Sequence, residues 1–235
     1  MTSTSQTIRS SDEVVGLVRT AHARVAGLID GLTDAQARAA SVLPGWSRGH
    51  VITHLTELAR AFVRQVDVAL DGRTAEVYEG GRAARDAAIE AKAGRPAAEL
   101  RADLLAANAE LDNAWQSLTD ADWARPIRYR DGVLLDTAYA RWRETEIHAA
   151  DLDLGYRSAD WSGELASYLV DFLAPRVPDG VALTITTDQV RRTIGSGAPI
   201  AVQGELTDVV AWLAGREPIG ELATTAPLPE LGPWP

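Results

Sequence analysis

Residues 47–72 read SRGHVITHLTELARAFVRQVDVALDG, and the reading of this stretch decides the fold. Val51, Ile52, Leu55, Leu58, Ala59, Phe62 and Val66 recur at three- and four-residue spacing, which puts them on one wide face of an α-helix. Ser47 stands where an N-cap is needed, and Asp71-Gly72 closes the pattern. An apolar face this wide is stable only when buried against other elements, so partner helices must follow or precede it.

They do. Between Asp12 and Leu32, Val14, Val15, Leu17, Val18, Ala21, Val25 and Leu28 keep a helical spacing, with Ser11 predicted as N-cap and Gly31 near the stop. Thr33-Asp34 opens a short Ala-rich helix that ends before the turn Leu43-Pro44-Gly45-Trp46. Residues 81–93 and 96–118 predict two more helices, the second with Pro96 in its first turn, where a missing N–H does no harm. After a loop containing Trp123, Pro126 and Asp131-Gly132, another helix is predicted over 136–154. Long helices joined by short loops make a mainly α protein built on an up-and-down four-helix bundle.

The pattern then changes. A helix over 162–173 leads to Pro175 and Pro178, after which Val181, Leu183 and Ile185 alternate with Ala182, Thr184 and Thr186, the period of a strand. Ile200 and Val202 mark a second strand after the Gly195-Ser196-Gly197 turn, residues 205–213 read as a last helix, and the Pro-rich 226–235 as an extended strap. The chain is therefore expected to divide into a helical bundle over 1–155 and a small α+β C-terminal domain over 156–235.

The 235 residues carry 23 Lys+Arg against 33 Asp+Glu, a net charge of −10. Nucleic acid is a poor partner for such a surface, because phosphate is held by clustered cations. With 46% hydrophobic and 24% charged residues, disorder is excluded as the main state. No apolar run approaches the roughly 18 residues of a membrane span. Met1-Thr2-Ser3-Thr4-Ser5-Gln6 lacks the basic-then-apolar order of a leader, so a cytoplasmic protein without membrane partners is expected. There is no cysteine, hence no disulfide, no thiolate metal site and no cysteine nucleophile; any metal must be held by His and carboxylate. The seven tryptophans are scattered and read as packing anchors, Trp142 among them.

The four histidines are His22, His50, His54 and His148. His50 and His54 are one helical turn apart, as are Glu144 and His148, so each pair shares a helix face. One such pair alone is ordinarily a surface pair. Two near apolar stripes admit a His₂Glu set, the ligand class of catalytic zinc, from His54, Glu144 and His148. His22 has no acidic or histidine neighbour at helical spacing and reads as solvent-facing or locally bonded.

Two segments carry a resemblance. Gly45-Trp46-Ser47-Arg48-Gly49-His50-Val51-Ile52-Thr53-His54 and Arg143-Glu144-Thr145-Glu146-Ile147-His148-Ala149-Ala150-Asp151-Leu152 resemble, in order, two helix motifs of the mycothiol-dependent maleylpyruvate isomerase family, within the DinB-like group of helical metalloproteins. The tail ending Leu213-Ala214-Gly215-Arg216 is similar to that family's as well. The resemblance implies a DinB-like bundle with zinc, or another divalent metal, on His54, Glu144 and His148, and an open position for the sulfur of mycothiol. It implies that Arg216 supports catalysis and binds substrate or thiol, that Arg85 contacts a carboxylate, and that Asp151 orients a ligand or an arginine.

The implied reaction is cis–trans isomerisation of maleylpyruvate to fumarylpyruvate, or of a related cis-enoate. A thiolate adds to the double bond, the former double bond rotates in the resulting enolate, and the thiolate is expelled. Release of the adduct would instead make a mycothiol S-transferase. A non-catalytic metal- or ligand-binding protein is a third reading, in which His50 or Glu57 completes a closed site. The expected partners are a small unsaturated dicarboxylate or other electrophile and a low-molecular-weight thiol, in a monomer or small homo-oligomer.

Overall fold

A helix face as apolar as that of residues 51–66 has to be covered, and four helices cover one another. In the computed structural model, which describes residues 10–235, the chain runs through α1 (Ser11–Leu28), α2 (Asp34–Arg38), α3 (Arg48–Leu70), α4 (Gly81–Ala93), α5 (Ala97–Gln116), α6 (Asp120–Trp123) and α7 (Leu134–Asp151). Residues 1–9, on which the expectation of an unexported chain rests, lie outside the described residues. α3 packs on α5 and α7, and α1 packs on the same two, so these four close a bundle while α4 lies against α3. Val18, Val51, Leu55, Phe62, Leu104, Leu111 and Leu134 form its dry centre. Each such side chain, fully buried, contributes about 1.5–3 kcal/mol.

The helix ends follow side-chain chemistry. Ser10, not Ser11, caps α1, because Glu13 three residues on returns the bond to the Ser10 N–H at 2.9 Å. Pro96 is itself the N-cap of α5 rather than part of its first turn. α7 begins before Asp136, whose carboxylate accepts the Val133 N–H at 2.8 Å and so occupies the third position of the turn. It stops at Asp151, short of the predicted Leu154, since Asp153 and Gly155 take left-handed backbone angles.

His22 is neither solvent-facing nor locally bonded. It is buried, and its Nε2 accepts from Arg141 Nε at 2.9 Å, a residue 119 positions away.

The chain divides into two compact units, Met1–Tyr156 and Arg157–Pro235. The second begins with α8 (Gly163–Leu173) and continues through β1 (Gly180–Thr186), β2 (Arg191–Gly195), β3 (Gly197–Gln203), α9 (Leu206–Leu213) and β4 (Ala223–Thr224). The sheet order is β2-β1-β3-β4, with β3 parallel to β1 and the other pairs antiparallel. β2 was not legible as a strand, since only Ile194 of its five residues is buried. β2 and β3 flank β1 on opposite sides, so the chain crosses the start of β1 within one residue. A Cβ at Gly197 would lie 2.2 Å from the Gly180 carbonyl, which is why glycine stands there. Residues 226–235 run as an extended strap: Gly232 N–H donates to the Arg176 carbonyl at 2.7 Å, and Trp234 meets Phe172 at 5.9 Å between ring centres. No helix among the described residues is long and apolar enough to cross a membrane.

Burial holds the His22 imidazole down at about 4, with the hydrogen bond to Asp112 opposing it only in part. The unfolded histidine titrates near 6.5, so between about 6.5 and 4 the unfolded chain takes up a proton that the folded chain refuses. Stability from this group is complete above that window and falls as pH falls through it, by roughly 3 kcal/mol in all. The urea midpoint followed by tryptophan fluorescence is expected to drop between pH 7 and pH 4.5, and to drop less in His22→Gln. Equal pH dependence in the two proteins would contradict this account.

Candidate metal centre

α3 and α7 lie side by side, and at one level each turns polar groups inward. His54 is buried on α3, and Glu144 and His148 ride on one face of α7. His54 Nε2 and His148 Nε2 each lie 3.4 Å from the same Glu144 Oε2, and the rings of the two histidines meet edge to face at 4.6 Å. One ligand atom from each residue falls within 4.8 Å of the others. At 3.4 Å these contacts exceed a good N–H···O hydrogen bond. Yet donors held about 2.0–2.2 Å from one tetrahedral ion are themselves about 3.4 Å apart, so two nitrogens and a carboxylate oxygen at this spacing fit a divalent metal.

The backs of the donors are fixed too. Asp151 Oδ2 lies 2.8 Å from His148 Nδ1, and Asp151 is itself 1% exposed. This is the carboxylate–histidine pairing that aims the opposite ring nitrogen at a metal. Arg85 Nη2 lies 3.0 Å from His54 Nδ1. A guanidinium only donates, so without an ion that ring nitrogen accepts and the proton sits on Nε2, towards Glu144; an ion on Nε2 would require the proton to move to Nδ1 and Arg85 to release that nitrogen. Arg143 Nε, at 3.5 Å, attends the other oxygen of Glu144, and Arg143 Nη2 donates to the Tyr129 hydroxyl at 2.9 Å.

The titration follows this geometry. Burial alone would push the Glu144 carboxyl up, but hydrogen bonds from His148 and His54 and the Arg143 charge hold it well below the usual carboxylate range. Burial lowers His54 to about 4 despite its bond to Glu144. For His148 burial also acts to lower, but Asp151 and then Glu144 outweigh it and the group is raised. The cluster is thus an anionic carboxylate between two imidazoles, the protonation a metal ion requires of at least one histidine and the acid.

The other polar residues read from the sequence go elsewhere. His50 is the third residue of the α3 capping box, its Nδ1 2.7 Å from Ser47 Oγ, and its Nε2 lies 3.1 Å from Glu90. Glu57 pairs with Lys92 at 2.7 Å and Arg60 at 3.3 Å. Neither stands with the three donors, so among the described residues the candidate ligands number three, the count of an open site. Arg216 belongs to the second unit, where Nη1 donates to the Ala214 carbonyl at 2.6 Å and the guanidinium lies 5.7 Å from the Trp234 ring.

Three contributors were not read from the sequence. Trp46 packs 5.8 Å from His54 and stacks on His50. Gly49 lets the first turn of α3 approach α4, since a Cβ there would sit 2.2 Å from the Ala93 carbonyl oxygen. Tyr78 lies under Arg85 at 5.7 Å, its phenol raised to about 12 mainly by burial. The first two lie inside the Trp46-Ser47-Arg48-Gly49-His50 run, so the signal was present; Tyr78 stands in a loop with no periodicity to mark it.

Residues 18–153 match the mycothiol maleylpyruvate isomerase N-terminal domain, well over half of the chain. The chain belongs to that family. Two solved structures share the fold. The crystal structure of the mycothiol-dependent maleylpyruvate isomerase superposes with a TM-score of 0.86 at 23% identity, over 96% of this chain and 98% of that one. A histidine-to-alanine mutant of the mycothiol-dependent maleylpyruvate isomerase gives 0.85 at 23% identity with the same coverage. No curated protein matches. The mycothiol maleylpyruvate isomerase fold is thus present in both units, a DinB-like helical bundle and an α+β tail.

Because Asp151 carries His148, Asp151→Asn is expected to weaken zinc binding by about 10- to 100-fold while leaving the helix content unchanged, as read by competition with a chromophoric chelator and circular dichroism. His54→Ala is expected to abolish binding at micromolar metal. Undiminished affinity in both variants would remove these residues from any metal site.

Proposed function

We propose that this protein is a mycothiol-dependent cis–trans isomerase acting on maleylpyruvate or a related cis-enoate, with a divalent metal, zinc by donor chemistry, on His54, Glu144 and His148. The observation that carries the reading is the convergence of two imidazoles and one carboxylate, with the far side of His148 held by Asp151, in a chain of this family. When bound, such an ion supplies charge that lowers the pKa of a thiol and so yields thiolate at neutral pH.

The chain has no cysteine, so the attacking sulfur must come from a cosubstrate. His54 and His148 would have to give up to an ion the Nε2 protons that face Glu144, and with the single negative charge of Glu144 a divalent centre would stay net positive and attractive to an anionic sulfur. Asp151 fixes the His148 ring, and His54 is buried. Arg85 holds a guanidinium beside His54, and that fork matches a substrate carboxylate. In an acidic protein such cations have to be local to hold a dicarboxylate. Arg216 is proposed, on the family resemblance, as the second cation the reaction uses. Addition of sulfur to the cis double bond then gives an enolate whose carbon–carbon bond rotates, and expulsion of the same sulfur leaves the trans product with thiol regenerated.

The test is an ultraviolet assay of maleylpyruvate with metal-loaded protein, with and without mycothiol. Turnover is expected only when both are present, and fumarylpyruvate, not a thioether adduct, is the expected product. Arg85→Met and Arg216→Met are each expected to lower kcat/KM by about 10- to 100-fold, the worth of one charged hydrogen bond. Accumulation of a mycothiol conjugate would instead identify an S-transferase, and metal-loaded protein inert towards both would overturn the enzymatic reading.

A further inference from the structure

The largest side chain buried completely in the described residues is a charged one, Arg141. It lies on α7 one turn before Glu144 and two before His148, on the same helix face. Each of its three guanidinium nitrogens donates to a neutral acceptor on a different helix. Nε donates to His22 Nε2 of α1 at 2.9 Å, Nη1 to the Leu55 carbonyl of α3 at 2.7 Å, and Nη2 to Asn108 Oδ1 of α5 at 2.5 Å. His22 in turn turns Nδ1 towards Asp112 at 3.5 Å.

Such a group is a poor choice for stability alone. A cation buried among neutral partners loses its hydration, and packed apolar side chains in its place often hold a fold as well or better. Burial lowers Arg141, but only to about 10, so it remains charged at neutral pH. What it supplies that leucine does not is geometry: one rigid fork that meets all four bundle helices at a single level.

That level adjoins the metal donors, with Glu144 one turn further along α7. Leu55 follows His54, so the carbonyl that Arg141 grips belongs to the ligand's own turn of α3, while Arg141 shares α7 with the other two ligands. The three donors come from two helices, and a small slide or rotation of α3 against α7 would part His54 from Glu144. Arg141 is the side chain that opposes this motion from below. Its charge also lies near Glu144, the carboxylate that chiefly sustains the protonated guanidinium.

We infer that Arg141 is a positioning residue for the metal centre, locking α3 to α7 through the Leu55 carbonyl so that His54 meets Glu144 and His148 at the spacing one ion requires. The inference rests on the proposed metal site and touches neither substrate nor thiol.

The experiment uses full-length protein, zinc titrated by chelator competition, and cobalt(II) substitution, whose visible bands report coordination geometry. The variants are Arg141→Met, Arg141→Lys, which keeps the charge but meets at most part of the acceptor set, and Val25→Ala, which removes core volume on α1 and no donor. Thermal melts set a temperature at which each is folded. Arg141→Met and Arg141→Lys are both expected to bind zinc at least about 10-fold more weakly, with a changed cobalt spectrum, while Val25→Ala keeps the wild-type constant and spectrum. If Arg141→Met fails to fold, Arg141→Lys carries the test alone. Wild-type affinity and an unchanged cobalt spectrum in a folded Arg141 variant would overturn the inference and leave the metal reading standing; wild-type protein that binds no zinc would overturn both.

Discussion

One carboxylate between two imidazoles, in the interior of a helical bundle, is the constraint on which the first unit depends. Removing Glu144, His54 and His148 from water is costly unless each meets a partner of suitable charge. The structure meets the requirement by pointing all three at one another and by giving each a second contact behind, from Asp151, Arg85 or Arg143. A cluster arranged this way is held together by charge, and its 3.4 Å spacing leaves it open to a cation. The same groups that would stabilise the empty fold through mutual attraction are those an ion would bind.

The surrounding helices are organised around keeping that cluster in register. Ser47 and His50 start α3 at a defined residue, and Gly49 lets that start approach the end of α4. Beyond the other end of the site, Arg48 donates to the Leu152 carbonyl at 2.6 Å and pairs with Asp153, tying the start of α3 to the end of α7 just past Asp151. Arg141 makes the tie within the core. The candidate site is therefore built on long helices rather than on loops, and the precision such elements give is what a three-ligand site would demand.

The second unit uses different means. Its core is apolar, with Leu165, Leu169, Leu183, Ile185, Val202, Val209 and Val210 buried, and its C-terminal strap is held by Arg176 through both Gly232 and the Leu213 carbonyl. Arg176 and Arg216 both lie against the Trp234 ring at 5.7 Å, a concentration of positive charge in a chain of net −10. An aromatic face stabilises such neighbours through its quadrupole without neutralising them.

By itself the sequence determined the helices, the change of period after Pro178, and a short list of candidate donors from which the family resemblance singled out His54, Glu144 and His148. These rest on local spacing: residues four apart share a helix face whatever the rest of the chain does, and a chain without cysteine leaves only histidine and carboxylate for a metal. The local rules also fixed most helix starts, erring by one residue at α1 and two at α7, where the first-turn acids Asp12 and Asp136 were taken for the first residue. Tertiary structure alone decided which faces meet. His22 was misread because its partner lies 119 positions away, and no periodicity connects the two. Arg85 on His54 and the pairing of Glu57 with Lys92 are likewise products of packing, whereas Asp151 on His148 and His50 on Ser47 are contacts three residues apart that local spacing already allows. A side chain's chemistry is written at its position, but its partner is chosen by the contacts that burying the whole apolar face brings about.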